Sequence, residues 1–325
     1  LAAQQPESST DFGAAQPLRP VATYSILARD PATGEMGVAV QSHWFSVGSI
    51  VTWAEAGVGA IATQSFVEPA YGQKGLELMR AGKSAPETLA QLLAADSSRA
   101  VRQVAMIDAQ GRVAAHTGKS SIAAAGDHVG AQYSVQANLM DNADIWPAMA
   151  RAFEKGEGDL AERMLLALEA AQTAGGDIRG CQSAAILIVR PTSTGRPWVD
   201  RKFDLRVEDD PDPVGELRRL VRLQRAYLQL NAGDEHVTNS DLPAAMAAYK
   251  AAMELLTDQE TNGEAPYWVG ITLASQGKED EAAPYLKRAY AQNRKWAALT
   301  TRLPAAGLLP DVAMARRLIG LMTRP

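Results

Sequence analysis

Cysteine and histidine are scarce in this chain, and their scarcity excludes two kinds of site. Cys181 is the single cysteine among 325 residues, so no disulfide can form within the chain. The four histidines have no spacing that is typical of metal ligands. The sequence therefore predicts no metal site and no cofactor. The histidines are His43, His116, His128 and His236.

Long apolar runs and basic blocks are also missing. No apolar run reaches the roughly 18–20 residues that a membrane-spanning helix needs. The net charge is −5, and no run of lysines and arginines interleaved with aromatic residues occurs. The sequence therefore predicts neither a membrane span nor a nucleic-acid partner.

The amino-terminal stretch predicts export. Leu1-Ala2-Ala3 has the small residues typical of the end of a secretory signal peptide, and a polar segment rich in Gln and Ser follows. Residues 1–20 have little periodicity, and we interpret them as a leader or arm. A periplasmic or secreted location is expected from this remnant.

Polar side chains are concentrated in the stretch from Val21 to Glu68. Two apolar runs flank a Pro- and Gly-containing turn at residues 30–35, which predicts a hairpin, and residues 57–63 predict a further strand. Polar groups are costly to bury without partners, so their concentration at these strand ends indicates a site. These residues are Thr23, Gln41, Ser42, His43, Trp44, Glu55, Gln64 and Ser65.

Strands and helices alternate in blocks along the rest of the first two thirds. A second hairpin is predicted around residues 108–111, further strands over 130–139, 183–189 and 198–207, and helices over 69–81, 84–95, 143–155 and 160–171. Hairpin pairing favours antiparallel sheets with helices outside them. The predicted fold class is α+β, with residues 21–208 as one domain.

The composition changes after an acidic, Pro-containing linker at residues 209–213. Ala245, Tyr249 and Ala252 recur 37 residues later as Ala282, Leu286 and Ala289. Small and aromatic residues at this spacing are typical of tetratricopeptide helix pairs. Residues 214–325 are therefore predicted to form an all-α, tetratricopeptide-like domain, which could bind a protein partner.

Several segments together resemble a known bacterial family. They are TYSILARDPATGEMGVAVQSHWFSVGS, AEAGVGAIATQS, YSVQANLM, GGDIRGCQSAAILIV and DLRVEDDPDPVGEL. In this order they resemble the domain-of-unknown-function family 1028 over about residues 21–220. The resemblance implies an αββα sandwich of two antiparallel sheets, similar to N-terminal-nucleophile hydrolases. It implies hydrolysis of an amide bond in a small molecule or peptide.

Thr23 is the candidate nucleophile that this resemblance implies. In such hydrolases a Thr, Ser or Cys attacks an amide carbonyl, and its own α-amine accepts the proton. Here 22 residues precede Thr23, and no lysine occurs before Lys74 to replace the amine. If residues 31–34 form the turn, Thr23 lies opposite Ser42, whereas a slip of one residue brings His43 there. Both Ser42 and His43 remain candidates.

The other candidates are acids and amides. His43 has a suitable intrinsic pKa for a general base that activates water. Glu55 or Glu68 could orient a base, and Asn138, Gln64 or Gln136 could donate to an oxyanion. Cys181 is interpreted as a small buried filler. The alternative function is a noncatalytic assembly or binding protein, and in either case a homo-oligomer is expected because sandwich edges are usually covered.

Overall fold

The computed structural model describes residues 20–324, which form two compact units that divide between Arg219 and Leu220. The first unit contains two antiparallel sheets with helices, and the second is helical. This confirms the mixed α+β class and the helical carboxy-terminal region. The predicted leader lies outside the described residues except for Pro20, so it stays a prediction.

Ten strands form the two sheets of the first unit. They are β1 (Thr23–Arg29), β2 (Met36–Ser42), β3 (Thr52–Glu55), β4 (Gly59–Ser65), β5 (Arg102–Asp108), β6 (Val113–Thr117), β7 (Gly126–Gly130), β8 (Tyr133–Ala137), β9 (Ser183–Val189) and β10 (Arg201–Val207). One sheet has the strand order β10-β9-β2-β1-β8-β7, and the other has the order β3-β4-β5-β6.

The helices follow in chain order. They are α1 (Gly48–Val51), α2 (Ala70–Arg80), α3 (Ala85–Ala95), α4 (Ile145–Lys155), α5 (Leu160–Thr173), α6 (Pro197–Asp200), α7 (Pro213–Thr238), α8 (Leu242–Leu255), α9 (Glu264–Ser275), α10 (Glu279–Gln292), α11 (Lys295–Thr300) and α12 (Val312–Thr323).

The first unit is layered. The two sheets face each other, α2 and α3 pack on the four-stranded sheet, and α4 and α5 pack on the six-stranded sheet. Alternation along the strands supplies the core between the sheets, because alternate side chains point to opposite faces. Val38 and Val40 of β2 meet Ala60 and Ala62 of β4 there, and Leu187 of β9 joins them.

The first hairpin has the predicted register. Asp30 N donates to Glu35 O over 2.8 Å across the turn, and Thr23 pairs with Ser42. Ser84 and Glu87 form a capping box at the start of α3, in which Ser84 Oγ accepts from Glu87 N and Glu87 Oε2 accepts from Ser84 N.

Other elements differ from the sequence prediction. β3 and β7 were not predicted, and the strand expected over 130–139 is the shorter strand β8. The amino-terminal part of the strand expected from Trp198 is the short helix α6. The acidic linker is fastened to the first unit, since Asp210 N donates to Gln182 O over 2.8 Å. The two units divide inside α7, and the linker as a domain boundary stays a prediction.

The second unit has its own core. Ala245, Tyr249 and Ala252 of α8 are buried in it, and so are Ala282, Leu286 and Ala289 of α10. The residues of the predicted repeat are therefore core residues of the second unit, on two helices that are separated in the chain by α9. No helix in residues 20–324 is both long and apolar enough to cross a membrane.

Candidate functional site

Thr23 lies at the start of β1 and is completely buried. Its hydroxyl donates to the carbonyl oxygen of Val21 over 2.7 Å. Its own carbonyl accepts from Asn138 N over 3.1 Å and from Gln64 Nε2 over 3.3 Å. The residue is thus fixed on both sides by the ends of β4 and β8, whose side chains the sequence singled out.

The peptide group in front of Thr23 is held by two donors. The carbonyl oxygen of Ala22 accepts hydrogen bonds from Ser42 Oγ and from Arg179 Nη2, the latter over 2.9 Å. Ser42 reaches it because β1 and β2 pair in the predicted register. Arg179 comes from the loop between α5 and β9, and the sequence analysis did not identify it as a functional residue.

Asp177 orients Arg179. Its side chain is completely buried, and its two oxygens accept from Arg179 Nε over 3.0 Å and from Arg179 Nη2 over 2.7 Å. The same carboxylate accepts from the backbone N of His43 over 3.2 Å. Paired hydrogen bonds of this kind fix a guanidinium in direction as well as in position. Gly175, Gly176 and Gly180 of this loop have positive φ. A cluster of glycines is the sequence signal that could have pointed to this loop, because glycine adopts positive φ without strain.

Amide side chains form a buried network between the sheets beside Thr23. Gln64 Nε2 donates to Gln103 Oε1 over 2.7 Å, and Asn138 Nδ2 donates to the same atom over 2.8 Å. Ser25 Oγ donates to Gln64 Oε1 over 2.7 Å and accepts from Gln136 Nε2 over 2.6 Å. These amides face one another, so the structure gives Asn138 and Gln64 a fixed place next to Thr23.

Unlike those of Asn138 and Gln64, the side chains of His43 and Glu55 form no hydrogen bond to Thr23. His43 is exposed, and its imidazole forms no hydrogen bond within residues 20–324. Glu55 pairs with Gly59 at the far end of β4, roughly 17 Å along the strand from Gln64. It forms an ion pair with Arg80. Neither residue contacts the Thr23 hydroxyl, and their catalytic roles stay predictions.

Glu68 and Cys181 have other partners. Glu68 Oε1 accepts from Ala70 N over 3.1 Å at the start of α2. Cys181 is half-buried, and its thiol donates to Gln172 Oε1 over 3.1 Å. Burial raises the pKa of this thiol, and the carboxylates of Asp212 and Asp177 raise it further. Cys181 is therefore less buried than the sequence suggested, and its environment disfavours the thiolate.

The first unit also has a cleft of about 540 Å³. Edge strands β3 and β10 border it. Leu187 and Val189 contribute apolar surface, while Arg206 and Asp204 contribute charge. Across residues 20–324, no group of three or more His, Cys, Asp or Glu side chains could hold a metal ion.

Comparison with known proteins adds the family. A crystal structure of protein SPO2555 from Silicibacter pomeroyi, assigned to DUF1028, is similar to this chain with 31% sequence identity and a TM-score of 0.55. The match covers 62% of this chain and 88% of that chain. No curated protein matches this chain. The model of the family of unknown function DUF1028 matches residues 23–217, and the chain therefore belongs to that family.

Proposed function

We propose that this protein hydrolyses an amide bond in a small molecule or peptide, with Thr23 as the nucleophile. In this proposal the chain must begin at Thr23, because only then does the residue have a free α-amine that can accept the proton of its own hydroxyl. The layer order supports the likeness to N-terminal-nucleophile hydrolases, since two facing antiparallel sheets lie between two pairs of helices.

The observation that carries the proposal is the pair of donors on the carbonyl oxygen of Ala22. Ser42 Oγ and Arg179 Nη2 both donate to it, directly in front of the candidate nucleophile. If residues 1–22 were absent, a substrate carbonyl could take the same place. Donors fixed at the position of a developing oxyanion are a principal source of catalysis in acyl transfer. Ser42 is then an oxyanion donor, and so is Arg179.

The reaction follows from these positions. Thr23 Oγ1 attacks the substrate carbonyl carbon as its proton passes to the Thr23 amine, and negative charge develops on the oxygen that Ser42 and Arg179 contact. The C–N bond breaks, the amine leaves with the proton from the Thr23 ammonium, and an ester to Thr23 Oγ1 remains. Water then hydrolyses the ester, which releases a carboxylic acid and restores the Thr23 hydroxyl.

A chain that begins at Thr23 tests the proposal. Its mass establishes the start, and N-acetyl dipeptide p-nitroanilides with small and large acyl residues report turnover. A peptidyl epoxyketone bonds to both the hydroxyl and the amine of an amino-terminal threonine, so the chain should gain the mass of one reagent molecule. Thr23→Ser should retain the adduct, and Thr23→Ala should lose it.

An exposed threonine provides the matched control. Thr33 lies in the turn between β1 and β2, and Thr33→Ala should leave both the adduct and turnover unchanged. If the chain that begins at Thr23 forms no adduct and releases no p-nitroaniline from any of the substrates, the nucleophile assignment is wrong.

A second candidate function is partner binding by the helical unit, which we propose to be tetratricopeptide-like. A recess of about 390 Å³ supports it, lined by Tyr249, Trp268 and Ile271 with the Asp234 carboxylate alongside. The phenol of Tyr249 donates to Asp234 Oδ1 over 2.6 Å. If the protein is a noncatalytic assembly or binding protein, this recess is where a partner should bind, and Trp268→Ala should weaken capture by an immobilised copy of that partner.

Export and self-association also belong to the proposal. The small residues at positions 1–3 support a periplasmic or secreted protein, and the free edges of β3 and β10 support a homo-oligomer. Fractionation of producing cells tests the first expectation. Light scattering at micromolar concentration tests the second, and a strictly monomeric full-length chain would contradict it.

A further inference from the structure

Val21 and Ala22 are bound by the first unit much as an enzyme binds an extended peptide. Both are completely buried. Val21 N donates to Ser65 O over 2.7 Å, and Ser65 N donates to Val21 O over 3.0 Å, so the segment forms an antiparallel bridge with the end of β4. Main-chain pairing of this kind is a common way to bind peptides.

We propose that the place now filled by Val21 and Ala22 is the acyl-binding site, and that it takes an extended peptide. The peptide has alanine before the scissile bond and a branched apolar residue before that. This inference rests on the proposed function, because the site becomes free only in a chain that begins at Thr23. It adds a substrate class: acyl donors that are peptides, not amides with a bulky or charged acyl group.

The position of Ala22 limits the size of the residue before the scissile bond. Its methyl group has no exposed surface, while its carbonyl oxygen is fixed by Ser42 and Arg179. A larger side chain must displace packed neighbours or shift the carbonyl from its two donors. Alanine should therefore be preferred there over leucine.

The position of Val21 sets the character of the preceding residue. Val21 belongs to the apolar cluster between the sheets, together with Val47, Val51 and Val67. A charged side chain in this cluster would lose its hydration without gaining a partner. A branched apolar residue should therefore be preferred at this position over aspartate.

Arg179 should contribute to peptide binding through the carbonyl. Asp177 holds its guanidinium in place through two hydrogen bonds. After hydrolysis the new carboxylate would lie against the same guanidinium, so N-acetyl-Val-Ala, the acid product, should itself bind. The acid is a convenient probe because its binding needs no turnover.

Binding is measured by calorimetry on a chain that begins at residue 23 and carries Thr23→Ala. N-acetyl-Val-Ala should bind. N-acetyl-Val-Leu should bind at least about fivefold more weakly, the factor that corresponds to the ~1 kcal/mol lower limit of overpacking costs. N-acetyl-Asp-Ala should also bind at least about fivefold more weakly, because an unpartnered buried polar group costs at least ~1 kcal/mol. The full-length chain should not bind N-acetyl-Val-Ala, because its own Val21 and Ala22 fill the site.

Two arginine variants distinguish a specific contact with the peptide carbonyl from a nonspecific effect of losing one positive charge. Arg179→Gln should weaken N-acetyl-Val-Ala at least about tenfold, because a charge-assisted hydrogen bond is lost. Arg151 is exposed on α4, and Arg151→Gln should leave affinity unchanged. Equal affinity for the alanine and leucine peptides, or a silent Arg179→Gln, would overturn the inference.

A measurement on the full-length chain covers the case in which the shortened chain does not fold. Ala22→Leu should lower the unfolding temperature, whereas Ala32→Leu in the exposed turn should not. An unchanged unfolding temperature in Ala22→Leu would show that the site accepts large residues and would contradict the size limit. The proposed function fails separately: the acid can bind as expected while no p-nitroanilide is hydrolysed.

Discussion

Asn138 and Gln103 join the two sheets beside Thr23. Asn138 follows β8 in the six-stranded sheet, and its Nδ2 donates over 2.8 Å to Oε1 of Gln103, which lies in β5 of the four-stranded sheet. Gln103 Nε2 also donates to Ala137 O over 2.9 Å and to Thr117 Oγ1 over 2.9 Å. One buried amide therefore fixes how the sheets meet at the candidate site.

Replacing Gln103 should destabilise the first unit strongly. Gln103→Leu leaves the Nε2 group of Gln64 and the Nδ2 group of Asn138 without the acceptor that they share, in a site closed to water. We expect the free energy of unfolding to fall by about 2–4 kcal/mol, because each stranded polar group costs about 1–3 kcal/mol.

Denaturant unfolding followed by circular dichroism measures this loss. Gln73→Leu is the matched control, because Gln73 is exposed on α2 and its Nε2 donates to Glu77 Oε1 one turn away. It should change the free energy of unfolding by less than about 0.5 kcal/mol. If Gln103→Leu lowered the free energy of unfolding as little as Gln73→Leu does, the amide network would contribute little to stability.

Replacing two helix glycines of the second unit by alanine should change the free energy of unfolding in opposite directions. A Cβ on Gly270 in α9 would lie 2.6 Å from two side-chain atoms of Leu286, whereas a Cβ on Gly320 in α12 would meet nothing within 4 Å. Gly270→Ala should therefore lower the free energy of unfolding by about 1–3 kcal/mol. Gly320→Ala should raise it by roughly 0.5–1 kcal/mol through helix propensity.

Thermal and urea unfolding of the two variants provide the comparison. Both exchange glycine for alanine inside a helix, so propensity alone would stabilise both. Stabilisation of Gly270→Ala would mean that α9 and α10 lie further apart than described and would weaken the tetratricopeptide-like interpretation.

The pH dependence of Cys181 alkylation follows from its surroundings. Burial and the carboxylates of Asp212 and Asp177 raise the thiol pKa above its ordinary value of 9.0. Because the thiolate is the reactive form, a raised pKa moves the alkylation profile to higher pH. Iodoacetamide should thus react half-maximally above pH 9, and Asp212→Asn should shift the midpoint to lower pH.

Mass spectrometry after timed alkylation measures the profile, and Cys181 is the single cysteine, so no other thiol interferes. A partly exposed carboxylate elsewhere gives the control: Asp30→Asn, in the turn between β1 and β2, should leave the midpoint unchanged. A midpoint at or below pH 9 would contradict a raised thiol pKa.

The pattern of apolar and turn residues along the sequence predicted most of the sandwich. It missed two short strands and the long-range contact that brings Arg179 to Ala22. The turn at residues 30–35 fixed the register of β1 and β2, and so placed Thr23 opposite Ser42. β3 and β7 escaped prediction because they are short and their residues are not mainly buried. The contact between Arg179 and Ala22 spans 157 positions, and no local pattern reports such a contact.

The kinetics of a chain that begins at Thr23 distinguish nucleophilic attack by Thr23 from activation of water by His43. If the α-amine of Thr23 is the base, a chain that begins at Thr23 should hydrolyse its best p-nitroanilide about 100–10,000-fold faster than the full-length chain, as general-base help would provide. Its kcat should rise toward pH ~8, where α-amines ordinarily lose their proton. Thr23→Ala should abolish the gain.

Two neighbouring side chains then distinguish nucleophilic attack from activation of water. Ser42→Ala removes a donor to the carbonyl position and should lower kcat by about 100–1,000-fold. His43 is exposed and does not contact the Thr23 hydroxyl, so His43→Ala should leave kcat of this chain within about twofold. Suppose instead that Thr23→Ala and Ser42→Ala are silent while His43→Ala removes activity. Hydrolysis would then proceed through water activated by His43, and the donors on Ala22 would have only a structural role.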